Sequence, residues 1–215
     1  MWVKICGTTN LEDARLAVDA GADAVGFVFG PSRRQVIAEQ VAEITPHLPE
    51  KVEKIGVFVD ETHDRIAEIV RTAGLTGIQL QGDETPEAVA ELRNLNLRMV
   101  VKVVWASAGI GTLPQRIAAH RPNVDSILLD SGSVAVRGGT GTRFDWIEVA
   151  AQLRRVQNGT RIVVAGGLNP SNVATAIATL HPWGVDVASG VEREPGRKDP
   201  DKVRAFVAAA RKAGN

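Results

Sequence analysis

Short runs of β-branched and apolar residues alternate along this chain with longer stretches whose apolar positions recur every three to four residues. The runs predict strands over Val3–Cys6, Ala24–Phe29, Glu53–Val59, Gly77–Leu80, Arg98–Val104, Ser126–Asp130, Arg161–Ala165 and Val185–Ala188, with helices in the gaps. Asn10 stands where it would cap the first helix, with Asp13 in the first turn, and Pro170 and Pro200 stand where they would open the seventh and last. Eight strand–helix units of roughly 25 residues, with no Gly/Ser-rich linker between them, predict an α/β fold: a single (β/α)8 TIM barrel, residues 1–215 forming one domain. The rival, an open doubly wound sheet, expects a GxGxxG turn after the first strand. The chain has Cys6-Gly7-Thr8-Thr9-Asn10 there instead.

Twenty-five basic side chains balance 25 acidic ones, so no global field draws the molecule to nucleic acid or to an anionic membrane. An anionic ligand would have to be held locally. The first residues, MWVKICG, lack the apolar region of a signal peptide, and no stretch approaches about 18 uninterrupted apolar residues. A soluble, cytoplasmic protein is expected. The lone cysteine excludes an internal disulfide and a multi-cysteine zinc site. His47, His63, His120 and His181 lack ligand spacing, so no metal site is expected, and all four are placed at the surface.

In a barrel of this kind chemistry sits at the C-terminal ends of the strands and in the loops that follow. The first strand ends in Lys4-Ile5-Cys6-Gly7, where a period of two puts Lys4 and Cys6 on one face and Val3 and Ile5 on the other. A strand cysteine is ordinarily an inert core residue, but this one stands at the rim. The sixth strand is an apolar run stopped by Asp130, which alone would read as a turn residue. A thiol and a carboxylate over one barrel mouth form an acid–base pair. Arg33 and Arg34 follow the second strand, and a guanidinium fork suits a carboxylate. Arg34 is preferred, although spacing alone leaves the two open.

Three glycine-rich segments follow the later strands: Gly138-Gly139-Thr140-Gly141, Gly166-Gly167 and Ser189-Gly190. Glycines let backbone N–H groups approach an anion closely, and the loops after strands seven and eight are the recurrent phosphate site of phosphosugar barrels. Gln79, Gln81, Lys102 and Asp186 read as internal polar positions that satisfy neighbours inside the barrel, with Asp186 also placed to support a ligand's hydroxyls or the phosphate loop.

Ten ordered segments spanning nearly the whole chain resemble the phosphoribosylanthranilate isomerase family: KICGTTN, ADAVGFVF, the SRR loop, IGVFV, IQLQGDE, LLDS, GGTGTRFDW, AGGLNPSNV, VDVASGVE and PGRKD. The resemblance implies the Amadori rearrangement of a phosphorylated aminosugar, N-(5′-phosphoribosyl)anthranilate, in tryptophan biosynthesis, without metal or organic cofactor. It also implies Cys6 as general base, Asp130 as general acid and Arg34 as the clamp on the anthranilate carboxylate. The chain departs from the family pattern at Gln81, where histidine is usual, and at Ala188, where serine is usual. A histidine-pathway aminosugar isomerase would use two aspartates, which Cys6 argues against, and a noncatalytic phosphosugar-binding barrel would have no need of the Cys6/Asp130 pair. The oligomeric state is left as monomer or homodimer.

Overall fold

The computed structural model describes residues 1–106, 109–131, 145–156 and 159–214. Its eight parallel strands are β1 (Trp2–Ile5), β2 (Ala24–Val28), β3 (Glu53–Phe58), β4 (Gly77–Leu80), β5 (Met99–Trp105), β6 (Ser126–Asp130), β7 (Ile162–Val164) and β8 (Gly184–Val187). They close in sequence order, β8 pairing with β1 through Lys4 opposite Asp186. Each strand lies within one residue of its predicted span. Helices α1 (Leu11–Asp19), α2 (Ala38–Ala42), α3 (His63–Ala73), α4 (Pro86–Leu92), α5 (Leu113–His120), α6 (Trp146–Leu153) and α7 (Val173–Leu180) join successive strands.

The strand period sorts side chains into two apolar layers. Val3, Ile5, Val25, Phe27, Ile78, Leu80, Val185 and Val187 face the helices. Ile55, Met99, Val101, Val103, Leu128 and Val163 fill the interior. At the N-terminal end Trp2 stacks on Trp183 with ring centroids 5.2 Å apart, and Arg161 lies over Trp183 at 5.0 Å. At the C-terminal end the interior turns polar.

Asn10 caps α1 as expected, its side chain accepting from Asp13 N. Pro200 opens the last helix, α8, which follows a hairpin that the apolar pattern did not predict: β9 (Glu192–Glu194), β10 (Arg197–Lys198), then α8 (Pro200–Ala213). Pro170 does not open α7. Ser171 N donates to Asn169 Oδ1 at 2.9 Å and Asn169 N to Asn172 Oδ1 at 2.8 Å, so side-chain bonds hold a turn there and the helix begins at Val173. Lys102 is not in the barrel interior. It alternates to the helix side of β5, where its ammonium bonds to Gly82 O at 2.7 Å and to Glu84 at 3.0 Å and pins the loop after β4. His120 is half-buried rather than exposed, near Lys102 and Glu84.

Candidate active site

Cys6 follows β1 directly and opens into a cavity of about 510 Å³ at the C-terminal mouth, whose wall also includes Arg34, Gln79, Gln81, Asp130 and Asp186. A smaller cavity of about 50 Å³ shares Asp130, Asp186 and Ala188 with it and is otherwise walled by Ser131 and by the loops carrying Gly166, Gly167, Ser189 and Gly190. The fold therefore brings Cys6, Asp130, Arg34, Asp186 and the two glycine loops to one continuous mouth. Gly138, Gly139 and Gly141 lie outside the described residues.

Beneath Cys6 lies a buried polar triad. Lys4 Nζ donates to Gln79 Oε1 and to Asp186 Oδ1, each at 2.9 Å, and the ammonium is fully buried. Burial pushes the Cys6 thiol up; the Lys4 ammonium, within hydrogen-bonding reach of the sulfur, pulls it back, Asp186 raises it again and Lys198 lowers it, leaving a net rise. The Lys4 ammonium is itself held above its usual range, because Asp186 and Cys6 outweigh the burial that lowers it. Among the charges acting on Cys6, Lys4 does most to favour the thiolate.

Arg34 is half-buried and walls the cavity, where Arg33 is exposed. Its Nε and Nη2 donate to Glu192 Oε1 and Oε2 at 2.7 and 2.6 Å. Glu192 also accepts from Lys198 Nζ at 3.0 Å, and Lys198 donates to the carbonyl oxygen of Cys6 at 2.6 Å. Neither Glu192 nor Lys198 was singled out from sequence, although both stand in segments that carried the resemblance, VDVASGVE and PGRKD.

At the opposite end Gly166 and Gly167 adopt φ of 82° and 66°, turning the backbone after β7 into the smaller cavity. Asn172 Nδ2 fastens this turn by donating to Gly167 O at 2.9 Å. A glycine turn of this kind lets backbone approach an anion closely. Among the described residues no group of three His, Cys, Asp or Glu side chains comes together as a metal-binding set, and no helix is long and apolar enough to cross a membrane.

The site thus offers a thiol and a carboxylate between a guanidinium and two glycine-rich loops. Residues 3–209 match the family model described as N-(5′-phosphoribosyl)anthranilate (PRA) isomerase. The chain is 46% identical over 213 residues, 98% of each chain, to the N-(5′-phosphoribosyl)anthranilate isomerase of Geobacter sp. (strain M21). Among solved structures it resembles the phosphoribosyl anthranilate isomerase from Thermotoga maritima, with a TM-score of 0.87, 38% identity and 99% of each chain covered. A phosphoribosyl anthranilate isomerase in complex with reduced 1-(o-carboxyphenylamino)-1-deoxyribulose 5-phosphate is similar at a TM-score of 0.84 and 38% identity, again over 99% of each chain.

Proposed function

The chain belongs to the phosphoribosylanthranilate isomerase family, and on that footing we propose that Cys6 is the general base and Asp130 the general acid of its reaction. It isomerises N-(5′-phosphoribosyl)anthranilate to 1-(2-carboxyphenylamino)-1-deoxyribulose 5-phosphate in tryptophan biosynthesis. The observation that carries the assignment of roles is that Cys6 and Asp130 wall the same cavity, between Arg34 on one side and the glycine loops on the other.

The chemistry needs one proton delivered and one removed. Asp130 gives its proton to the furanose ring oxygen as the C1′–O bond breaks, and the anilino nitrogen supplies the electron pair that makes the Schiff base. That cationic C=N bond acidifies the neighbouring C2′–H. Cys6 as thiolate takes this proton, the electrons forming the C1′–C2′ double bond of an enolamine, which tautomerises to the ketone. Arg34 holds the anthranilate carboxylate, and the backbone N–H groups of Gly166, Gly167, Ser189 and Gly190 hold the phosphate, with Gly138, Gly139 and Gly141 assigned to the same end. Anchoring both ends aligns the C2′–H bond with the sulfur, which converts binding energy into rate. Asp186 acts from below through Lys4. The protein works in the reducing cytoplasm, as a monomer or homodimer, where its single thiol stays free.

The test is to mix purified protein with freshly prepared phosphoribosylanthranilate and follow the loss of anthranilate fluorescence, beside Cys6→Ser and Asp130→Asn variants and with the histidine-pathway aminosugar as a control substrate. Rapid loss in the wild type and severe loss of rate in both variants is the expected result. A variant that keeps the wild-type rate would remove its residue from the proposed pair, and binding without turnover in the wild type would leave a noncatalytic phosphosugar barrel.

A further inference from the structure

Glu192 places a buried carboxylate directly against the guanidinium assigned to the substrate's own carboxylate. Its side chain is only 5% exposed, and both oxygens face Arg34. A like charge at an anion clamp acts in one of two ways: it competes with the substrate, or it fixes the clamp. The geometry decides between them.

The two Arg34–Glu192 bonds use one edge of the guanidinium, Nε with Nη2. The Nη1 corner remains for a second carboxylate, and the fork geometry of arginine makes its direction fixed once the first edge is fixed. Glu192 is itself immobilised. Oε1 accepts from Lys198 Nζ at 3.0 Å and from Gly196 N at 3.3 Å. Lys198 is fully buried, donates to Cys6 O at 2.6 Å and to Ala188 O at 3.3 Å, and its backbone N–H is tied to Asp13 Oδ2 at 3.0 Å. Glu192 thus lies between Arg34 and Lys198, and the unused edge of the Arg34 guanidinium still offers positive charge to a ligand. That is the charge one ligand carboxylate would neutralise.

We propose that Glu192 is a positioning residue for carboxylate selectivity, holding Arg34 in the one orientation that receives the ortho-carboxylate of the substrate's aromatic ring, with Lys198 keeping Glu192 in place and tying it to the strand end that bears Cys6. The inference rests on Arg34 being the carboxylate clamp. A long arginine that is free in the empty site would have to be ordered at binding, and prior ordering removes that cost. Glu192 does not touch the substrate, so its effect reaches the ligand only through Arg34.

The experiment measures inhibition constants for two reduced product analogues, one with a 2-carboxyphenylamino group and one with phenylamino, on wild type, Glu192→Gln, Glu192→Asp and Arg34→Ala. Wild type is expected to favour the carboxylated analogue. In Glu192→Gln that preference should shrink by about ten- to a hundredfold, the scale set by misplacing a positioned group, while the phenylamino analogue binds as before. Glu192→Asp keeps the charge but shortens the reach, so it should lose preference in the same direction and serves if the glutamine variant does not fold. A preference that is unchanged or enlarged in the Glu192 variants, or equal weakening of both analogues, overturns the proposal. If Arg34→Ala keeps the preference, the clamp assignment itself is wrong and this proposal falls with it; if only Arg34→Ala loses it, the clamp stands and Glu192 has no part in selectivity.

Discussion

Lys4 Nζ stands 2.9 Å from Asp186 Oδ1, a fully buried ammonium and a carboxylate paired across the β1–β8 seam immediately below Cys6. Opposite them Gly26 offers no side chain, and an added Cβ there would stand 2.7 Å from the Cys6 sulfur and 3.1 Å from Lys4 Nζ, so that one small gap in the wall serves both groups. The pair supplies charges of opposite sign to one thiol.

That arrangement predicts opposite pH responses from its two members. Burial raises the Cys6 thiol, Lys4 lowers it and Asp186 raises it, with Lys198 lowering it and Arg34 also in its field. With Cys6 as the proposed base, activity climbs with pH as the thiolate forms. Lys4→Met should move the ascending limb of kcat/KM to higher pH, and Asp186→Asn should move it lower, each unit of displacement being about a tenfold change in thiolate at a given pH below the limb. The pH dependence of Cys6 alkylation by iodoacetamide should shift in the same directions. Breaking one side of a buried pair costs about 3–5 kcal/mol, so the Lys4→Met/Asp186→Asn double variant provides a folded companion whose limb should fall between the two. Limbs that stay put, or that move together, would leave the pair as scaffolding only.

The phosphate end makes a steric prediction at Gly190. A Cβ at this position would overlap the carbonyl oxygen of Leu168, a backbone atom of the neighbouring glycine loop. Gly190→Ala must therefore push apart the two glycine loops proposed to hold the phosphate. Binding should weaken while the acid–base pair is untouched, so KM rises by about tenfold or more, as expected when positioned donors lose a charged hydrogen bond, and kcat changes far less. Competitive inhibition by inorganic phosphate should weaken in parallel. Loss of kcat at constant KM would place Gly190 outside the phosphate site.

How much of this was legible beforehand follows from where the partners lie in the chain. The eight strands were readable because each must bury one apolar row against helices and another in the barrel, and the rim positions of Cys6 and Asp130 at one cavity were readable because they end two such rows. What sets Arg34 apart from Arg33 is its half-buried place at the cavity wall and its bond to Glu192, 158 residues away, which no local spacing encodes. The β9–β10 hairpin escaped because its strands, Glu192–Glu194 and Arg197–Lys198, contain only charged residues and are tied by ion pairs, one of them to Arg34 toward the other end of the chain. Pro170 misled for the opposite reason. It is a favoured helix opener, but Asn169 and Asn172 use their side chains to make a turn around it, and the turn serves Gly167.

The floor of the barrel should be separable from the chemistry. Trp183 stacks on Trp2 and lies under Arg161 at the end remote from Cys6 and Asp130. Trp183→Ala should destabilise the fold by somewhat less than the roughly 3–5 kcal/mol of a wholly buried tryptophan, because the ring is partly exposed. Thermal unfolding should show the loss, and kcat/KM at room temperature should be unchanged. A matching drop in activity would contradict the separation of stabilising floor from catalytic rim.

Glu192 also predicts how the fold fails in acid. Burial alone would raise its carboxyl, but the bonds from Arg34 and the charge of Lys198 prevail and hold it below the ordinary 4.5. A carboxyl depressed in the folded state binds fewer protons there than in the unfolded chain, so its contribution to stability is complete above about pH 4.5 and is lost as pH falls through the lower, folded value. Lys198 is shifted downward by burial from 10.5. A depressed lysine makes stability rise with pH from its folded value toward 10.5. Urea unfolding from neutral pH downward should therefore show a loss of stability below about pH 4.5 that is shallower in Glu192→Gln, which has no proton to take up. Glu87, also held low by its own backbone and Thr85, contributes equally in both proteins and cancels in the comparison. Identical acid limbs would mean that Arg34 and Lys198 do not hold the Glu192 charge in solution, and the ordering of the clamp would lose its physical basis.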